Sequence, residues 1–456
     1  MFNSLPGGTL GQFLRAAFFG FLASSHLGAC SAEEAKDIPP REKPLAFPGA
    51  IGFGKHSAGG RGGEIFAVTN LNDSGPGSLR ECIEANIPRV CVFRVGGVIR
   101  FTSERPIIRH PFITIAGQTA PGDGILITHN GGEEGLTPIA IKNTHDVVIR
   151  HIRVRTDKKG ASRGSNDAFT IENSYNVILD HVSGSWAIDE NVDSFQDNDA
   201  VTISWSVFAE GIPPHDKCAL LGGDSTKAQS LSFLYNLCAH NGDRNPDIKY
   251  PDGSCIEVVN NTFYNAVEAY VEIWELTGGT PVNIVGNYFK AGPNTADNVP
   301  ALKLDKVDSK GDAKIYSNGN FVDEGLAPET ETAAKAYTGQ PVCPLTVKPL
   351  RAEAAHRQVV SLAGALPHDA VDRRIRNDVI NRTGAIAKAP GELPRFDRGV
   401  ALDDVDQDGM ADGWERTQGI DETTANPWGD QDSDGWTNLD EYLHYAHRLL
   451  VLEAEQ

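Results

Sequence analysis

Between about residue 90 and residue 320 the chain repeats one short phrase: a run of β-branched and apolar residues followed by a cluster of Gly, Asn and Asp. Comparable strand positions begin near Val147, Val177, Val201, Leu231, Val258, Val282 and Lys314, at separations of 30, 24, 30, 27, 24 and 32 residues. A repeat of this size cannot bury its apolar face alone and must stack on its neighbours. With no helix-length amphipathic segment between the runs, the pattern predicts an all-β chain wound as a parallel β-helix. The competing fold is a β-sandwich, but sandwich strands usually recur every 8–12 residues or about that. Asn143, Asn173, Asn260, Asn287 and Asn318 fall at the expected turns. Asparagine suits such places because it tolerates a left-handed backbone and its amide can stack in hydrogen-bonded ladders.

The flanks read differently. Residues 46–325 are assigned to the β-helix, and near their start FPGAIGFGKHSAGGRGG is rich in turn glycines without the strand–loop–helix order of a phosphate site. After it, EIFAVTNLNDSGPGSLRECI predicts a strand, a turn over Asn72 to Gly77, and a short helix capped by Ser78. Residues 326–400 form a loop and a helical extension expected to pack on the β-helix, with Asp369 as an N-cap and Gly384 as a stop. Arg373, Arg374 and Arg376 are expected on a solvated or groove-edge face.

Residues 1–30 predict a targeting segment, because Arg15 precedes an apolar core too short to span a bilayer. The core ends at Leu27-Gly28-Ala29-Cys30, which resembles a bacterial lipobox. That resemblance implies acylation of Cys30, an outer-membrane lipoprotein or secreted location, and membrane contact only through the lipid anchor. Residues 31–45 read as a tether. Setting Cys30 aside leaves six of the seven cysteines, an even number that suggests disulfides in an exported protein. Cys82 and Cys91 are expected to close a small loop, and the remaining pairings stay open. The net charge of -20 argues against nucleic acid. An acidic polysaccharide could bind only where cations or a local basic cluster offset that charge, and a monomer is expected.

Two stretches near the C-terminus, within the module 401–456, carry a metal signature. Asp404, Asp406, Asp408, Asp412 and Glu415 occupy positions 1, 3, 5, 9 and 12 of an EF-hand-type loop, with Gly409 at position 6. Asp430, Asp432, Asp434, Asn438 and Glu441 repeat the arrangement around Gly435. Calcium takes about six to eight oxygens, and a glycine at the sixth position lets the loop wrap the ion. Both loops are therefore predicted to bind Ca2+ in a structural role, with a helix following at Glu441-Tyr442-Leu443.

A third group lies in the repeat itself, between Gly164 and Tyr250. On stacked coils Asp167, Asp189 and Asp193 would converge on one groove, with Lys217, Arg244 and Lys249 one or two coils further on. Carboxylates beside basic groups in an acidic chain suggest a cation next to anion-reading residues, which suits a polyuronate. Asp180-His181 lies in strand context and is expected to be structural, as are Trp186 and Trp205.

AFPGAIGFG, N-V-I-L-D-H and R-N-P-D-I-K resemble segments of the pectate lyases of polysaccharide lyase family 1. The resemblance, over roughly residues 46–320, implies a right-handed parallel β-helix that cleaves polygalacturonate by calcium-assisted β-elimination to 4,5-unsaturated oligogalacturonides. It implies calcium ligands at Asp167, Asp189 and Asp193, a substrate-binding lysine at Lys217, and the catalytic arginine of an Arg-x-Pro-x-x-Arg motif at Arg244. Lys249 replaces the second arginine and exchanges a bidentate fork for a point charge. Asp189 stands where some members have Glu, and Ser165 where some have a further acid. The alternatives are a β-helix polygalacturonase, which would hydrolyse instead, and a non-catalytic glycan-binding surface lipoprotein.

Overall fold

The computed structural model describes residues 43–129, 137–156, 166–275, 279–306 and 311–455. The expected targeting segment, Cys30, most of the tether and Ser165 lie outside the described residues. Residues 43–456 make up one compact unit. Its strands form three parallel sheets of ten, nine and nine members, and each coil contributes one strand to each sheet through most of the stack. This is a parallel β-helix of about nine turns.

The ten-stranded sheet shows why the sequence repeats as it does. Ile113, Val147, Val177, Val201, Leu231, Ile256, Val282 and Ile315 stand in one column of register partners. All are buried in the central core. Two sequence positions need correction: Ile256, not Val258, and Ile315, not Lys314, continue the column. The first slip is by two residues and stays on the same face, since strand side chains alternate with period two. The second is by one, and Lys314 accordingly points out to pair with Asp252 at 2.7 Å.

The asparagines divide into two jobs. Asn143, Asn173 and Asn260 hold left-handed backbone at coil corners. Asn287 belongs instead to a ladder in which the backbone N–H of Asn236, Asn261 and Asn287 donates to the amide oxygen of Asn261, Asn287 and Asn320 in turn, at 2.7–2.9 Å. Asn318 does neither; it ends the strand Lys314–Asn318. At another corner the left-handed residues His151, His181, Trp205 and Tyr235 stack ring on ring.

Disulfides Cys82–Cys91, Cys218–Cys238 and Cys255–Cys343 use all six remaining cysteines. The first closes the expected small loop, between helix Leu79–Glu84, capped by Ser78, and strand Arg89–Phe93.

The extension packs as helices Ala352–Leu362 and Ala370–Asn381. Asp369 caps the second, and the helix ends at left-handed Arg382, two residues before Gly384. The nearby arginines are not merely solvated. Arg374 forks onto Glu210 at 2.7 and 2.8 Å and fastens the extension to the β-helix, whereas Arg376 donates to His368 at 2.6 Å within the extension. Beneath them fully buried Arg155 donates to Asp369 and Asp372 at 3.0 and 2.8 Å.

The last segment holds helices Asp412–Gln418 and Asn438–Ala454. The second starts three residues before Glu441, behind a capping box of Thr437 and Asp440. Met410, Ala411, Trp414, Leu439 and Tyr442 pack on Val90, Val92 and Ala116 of the early coils. Among the described residues no helix is long and apolar enough to cross a membrane.

Candidate active site

One nine-stranded sheet carries the polar groove, on strands Phe169–Glu172, Glu190–Phe195, Lys217–Gly222, Asp247–Lys249, Val271–Glu275 and Pro300–Lys306. Parallel register turns sequence spacing into rows. Thr170, Asp193, Leu220, Asp247, Glu272 and Lys303 form one row across six coils. Glu190 faces Lys217, and Lys217 bridges to Asp243.

At one end of these rows lies an acidic knot. Carboxylate oxygens of Asp167, Asp189 and Glu190 lie within 4.8 Å of one another. Asp167 is buried; one oxygen accepts from Thr170 at 2.6 Å and the other from the Glu190 N–H at 3.1 Å. Burial, and then the charge of Asp189, push its carboxyl up to about 7. Burial and neighbouring carboxylates also hold Glu190 and Asp193 well above the ordinary range. Asp193 Oδ1 is buried and meets no hydrogen-bond donor among the described residues. Crowded carboxylates with an unsatisfied buried oxygen fit a hard divalent cation that prefers oxygen ligands. Asp189 sits at the rim, half-buried, with His215 Nδ1 at 2.9 Å. A cleft of about 390 Å³ opens beside Asp167 and Asp193 and is also lined by Arg105, Lys142 and Glu172.

The basic residues stand next to the knot. Arg244 has left-handed backbone, and its N–H donates to Glu272 at 3.2 Å. Its Nη1 donates to Glu190 at 2.5 Å, and its Nε is 3.8 Å from Asp247. Burial works against its charge, but Glu190 and Asp247 outweigh that and strengthen the guanidinium's hold on its proton. Lys217 Nζ pairs with Asp243, and Lys249 Nζ with Asp224 at 2.6 Å. The cations of Arg244 and Lys249 lie 5.9 and 6.0 Å from the ring centre of Trp274.

All six groove residues named from sequence therefore gather on adjacent coils. The sequence reading missed Glu190, Asp247, Glu272, Trp274 and Lys303, whose Nζ lies 2.8 Å from Glu272. Glu190 stands in D-E-N-V-D between the two aspartates and opens its strand, which sets it opposite Lys217. Trp274 and Lys303 lie a coil or more beyond R-N-P-D-I-K, where only register brings them back.

Asp180 is buried and accepts from Arg150 at 2.9 Å and Ser204 at 2.8 Å, with His181 Nδ1 also at 2.9 Å. That bonding makes it a structural corner, and Trp186 is likewise buried, donating to Glu210 at 2.9 Å. In the C-terminal loops Gly409 and Gly435 have φ of 90° and 99°, as a wrapped loop demands. Oxygens of Asp404, Asp406 and Asp408 lie within 4.8 Å of one another, as do those of Asp430, Asp432 and Asp434. Asp412 accepts from the Val405 N–H at 2.9 Å, and Asn438 from the Gln431 N–H at 3.1 Å. Both residues thus close their loops from within. Glu415 is buried and Glu441 half-buried.

Carboxylates and basic side chains ranked along one face of the coil make this a parallel β-helix with a charged groove. Residues 118–367 match the family model described as pectate lyase. A relative named probable pectate lyase C from Aspergillus flavus is 34% identical over 420 residues, covering 87% of this chain and 92% of the relative. Its counterpart in Emericella nidulans is 32% identical over 415 residues, covering 87% and 91%. The solved structure of Jun a 1, the major allergen from cedar pollen, shares the fold with a TM-score of 0.51 at 18% identity, over 70% of this chain and 93% of that one. The chain belongs to the pectate lyases of polysaccharide lyase family 1 and is a polysaccharide lyase.

Proposed function

We propose that this lyase cleaves α-1,4-linked polygalacturonate by calcium-dependent β-elimination, releasing 4,5-unsaturated oligogalacturonides. The observation that carries the reading is the direct approach of Arg244 to Glu190 at the edge of the acidic knot, with Lys217 in the same row. Asp167, Asp189, Glu190 and Asp193 would hold the ion. With calcium held there, these residues would present a positive charge beside the sugar carboxylate, where enolate-like charge develops. Lys217 and Lys249 pair with further sugar carboxylates, which offsets the repulsion expected from a chain of net charge -20.

Arg244 is the candidate base. It takes the C5 proton, the electron pair forms the C4–C5 double bond, and the C4–oxygen bond breaks with solvent protonating the leaving oxygen. A guanidinium is a poor base while Glu190 and Asp247 support its charge. Glu190 turned toward a cation would no longer give that support, and alkaline solution would favour the neutral form further.

Three disulfides fit an oxidising compartment and hence export. Acylation at Cys30 and a monomeric state complete the proposal; mass spectrometry of the mature N-terminus and size-exclusion chromatography test them. The central experiment incubates purified protein with polygalacturonate, with calcium and with chelator, and follows the ultraviolet absorbance of unsaturated ends. Calcium-dependent absorbance lost in Arg244→Ala is expected. New reducing ends without absorbance would mean hydrolysis, and binding without turnover would mean a glycan-binding protein.

A further inference from the structure

We propose that the two C-terminal acidic loops are unequal calcium sites: loop 404–415 is a buried fastener that seats the C-terminal module on the β-helix, and loop 430–441 is an exposed, readily exchanged site. The motif is nearly the same in both, so sequence treats them alike. Their surroundings differ.

The first loop lies against the early coils. Asp404 pairs with Arg94 at 3.2 Å, and a Cβ on Gly409 would come within 3.0 Å of Ile65 and 3.3 Å of Val92. Met410, Ala411 and Trp414, which follow the turn, pack into the apolar cluster with Val90 and Val92. Glu415 is 0% exposed, and neither of its oxygens meets a hydrogen-bond donor among the described residues. Both Asp406 oxygens are likewise buried without a donor. Asp408, also buried, is by contrast satisfied by N–H groups of Met410 and Asn426, both at 3.0 Å. Two carboxylates are thus turned inward with four oxygens and no proton donors, an arrangement that is costly unless a cation completes it. Asp408, Asp406, Asp412 and Asp404 are the charged neighbours of Glu415, as Asp432, Asp434, Asp430 and Asp440 are of Glu441, so the two loops differ in burial and not in the acids around that glutamate.

The second loop shares the apolar packing, through Leu439, but its acids are not shut away from water. Asp430, Asp432 and Asp434 are exposed, so water can satisfy them whether or not an ion is bound. It meets the β-helix through Leu439 and through Arg61, which donates to Asp440 at 2.8 and 3.0 Å, and neither contact involves its exposed aspartates. A divalent cation therefore has a structural task in the first loop and little in the second. The inference does not depend on the groove chemistry.

The test uses the full chain carrying Asp193→Asn, so that binding in the groove is weakened and not counted with the loops. Calorimetric titration with Ca2+, thermal unfolding with and without calcium, and limited trypsin digestion are compared for Glu415→Gln and Glu441→Gln. Glu415→Gln is expected to lose the tighter binding event and most of the calcium-induced rise in Tm. In chelator, the parent should expose its C-terminal module to trypsin while the β-helix stays resistant. Glu441→Gln should lose only the weaker event, which terbium luminescence sensitised by Trp436 reads separately, and should keep the rise in Tm. If Glu415→Gln does not fold, Asp406→Asn is read in the same way. The proposal is overturned if Glu415→Gln or its substitute keeps the tighter event, if Glu441→Gln abolishes the rise in Tm, or if chelator leaves the module as protected as before.

Discussion

Arg244 Nη1 lies 2.5 Å from Glu190 Oε1, so the arginine of R-N-P-D-I-K and a carboxylate of the acidic knot share one hydrogen bond. Glu190→Gln keeps the shape and removes the charge. It should weaken calcium binding in the groove and lower turnover, each by about 10- to 100-fold, the usual cost of losing a supporting or ligating group. Calorimetry and initial rates at saturating calcium measure the two effects. Unchanged calcium affinity would remove Glu190 from the ion site.

Trp274 lies about equally far from Arg244 and Lys249, at 5.9 and 6.0 Å. Each cation–π contact of this kind is worth about 0.5–1 kcal/mol when exposed. Trp274→Leu should therefore raise KM for polygalacturonate by about two- to fivefold per contact. Steady-state kinetics at fixed calcium will show it, and an unaltered KM would make the ring mere packing.

Asp372, fully buried, accepts from Arg155 at 2.8 Å and from Ser183 at 2.7 Å. Asp372→Asn should destabilise the protein by about 3–5 kcal/mol, because it leaves Arg155 buried beside a single remaining carboxylate, Asp369. Denaturant titration followed by circular dichroism measures this. A loss below about 1 kcal/mol would show that the site relaxes or admits water.

His368 donates through Nε2 to the Ala363 carbonyl and accepts from Arg376 on Nδ1, at 2.8 and 2.6 Å, which requires the neutral ring. Burial, then Arg376, pushes its pKa down to about 3, against about 6.5 in an unfolded chain. Between those values the unfolded state binds the extra proton, so stability rises with pH and is lost as pH falls from about 6.5. Each such histidine contributes a slope of up to about 1.4 kcal/mol per pH unit. His356, pushed down to about 4, acts in the same direction. Denaturant unfolding between neutral and mildly acidic pH should show the decline, and His368→Gln should flatten it. An unchanged slope in the variant would count against this account.

The coil was legible because its cause is periodic. Inward-facing Val147, Val177 and Val201 recur wherever a coil must fill the same core, and insertions fall in the turns between them. Which asparagine does which job was not legible. Asn260 and Asn261 are neighbours, yet one takes left-handed backbone while the other joins the ladder, and only the stacking of coils separates them. Asp167, Asp193, Lys217 and Arg244 could be placed together because parallel register converts spacing into adjacency. Glu190, Trp274 and Lys303 required the register itself.

The sequence alone determined the repeat, the disulfide-forming set of cysteines, and the two twelve-residue acidic loops with their glycines, since each depends on residues close along the chain or on simple counting. Tertiary structure decided which carboxylates are shut away from water. Asp404 meets Arg94 across 310 positions, and the burial of Glu415 beside it follows from the packing of Met410 and Trp414 on Val90 and Val92. Local backbone preference is set by neighbours in sequence, but desolvation is set by whatever segment the fold lays on top.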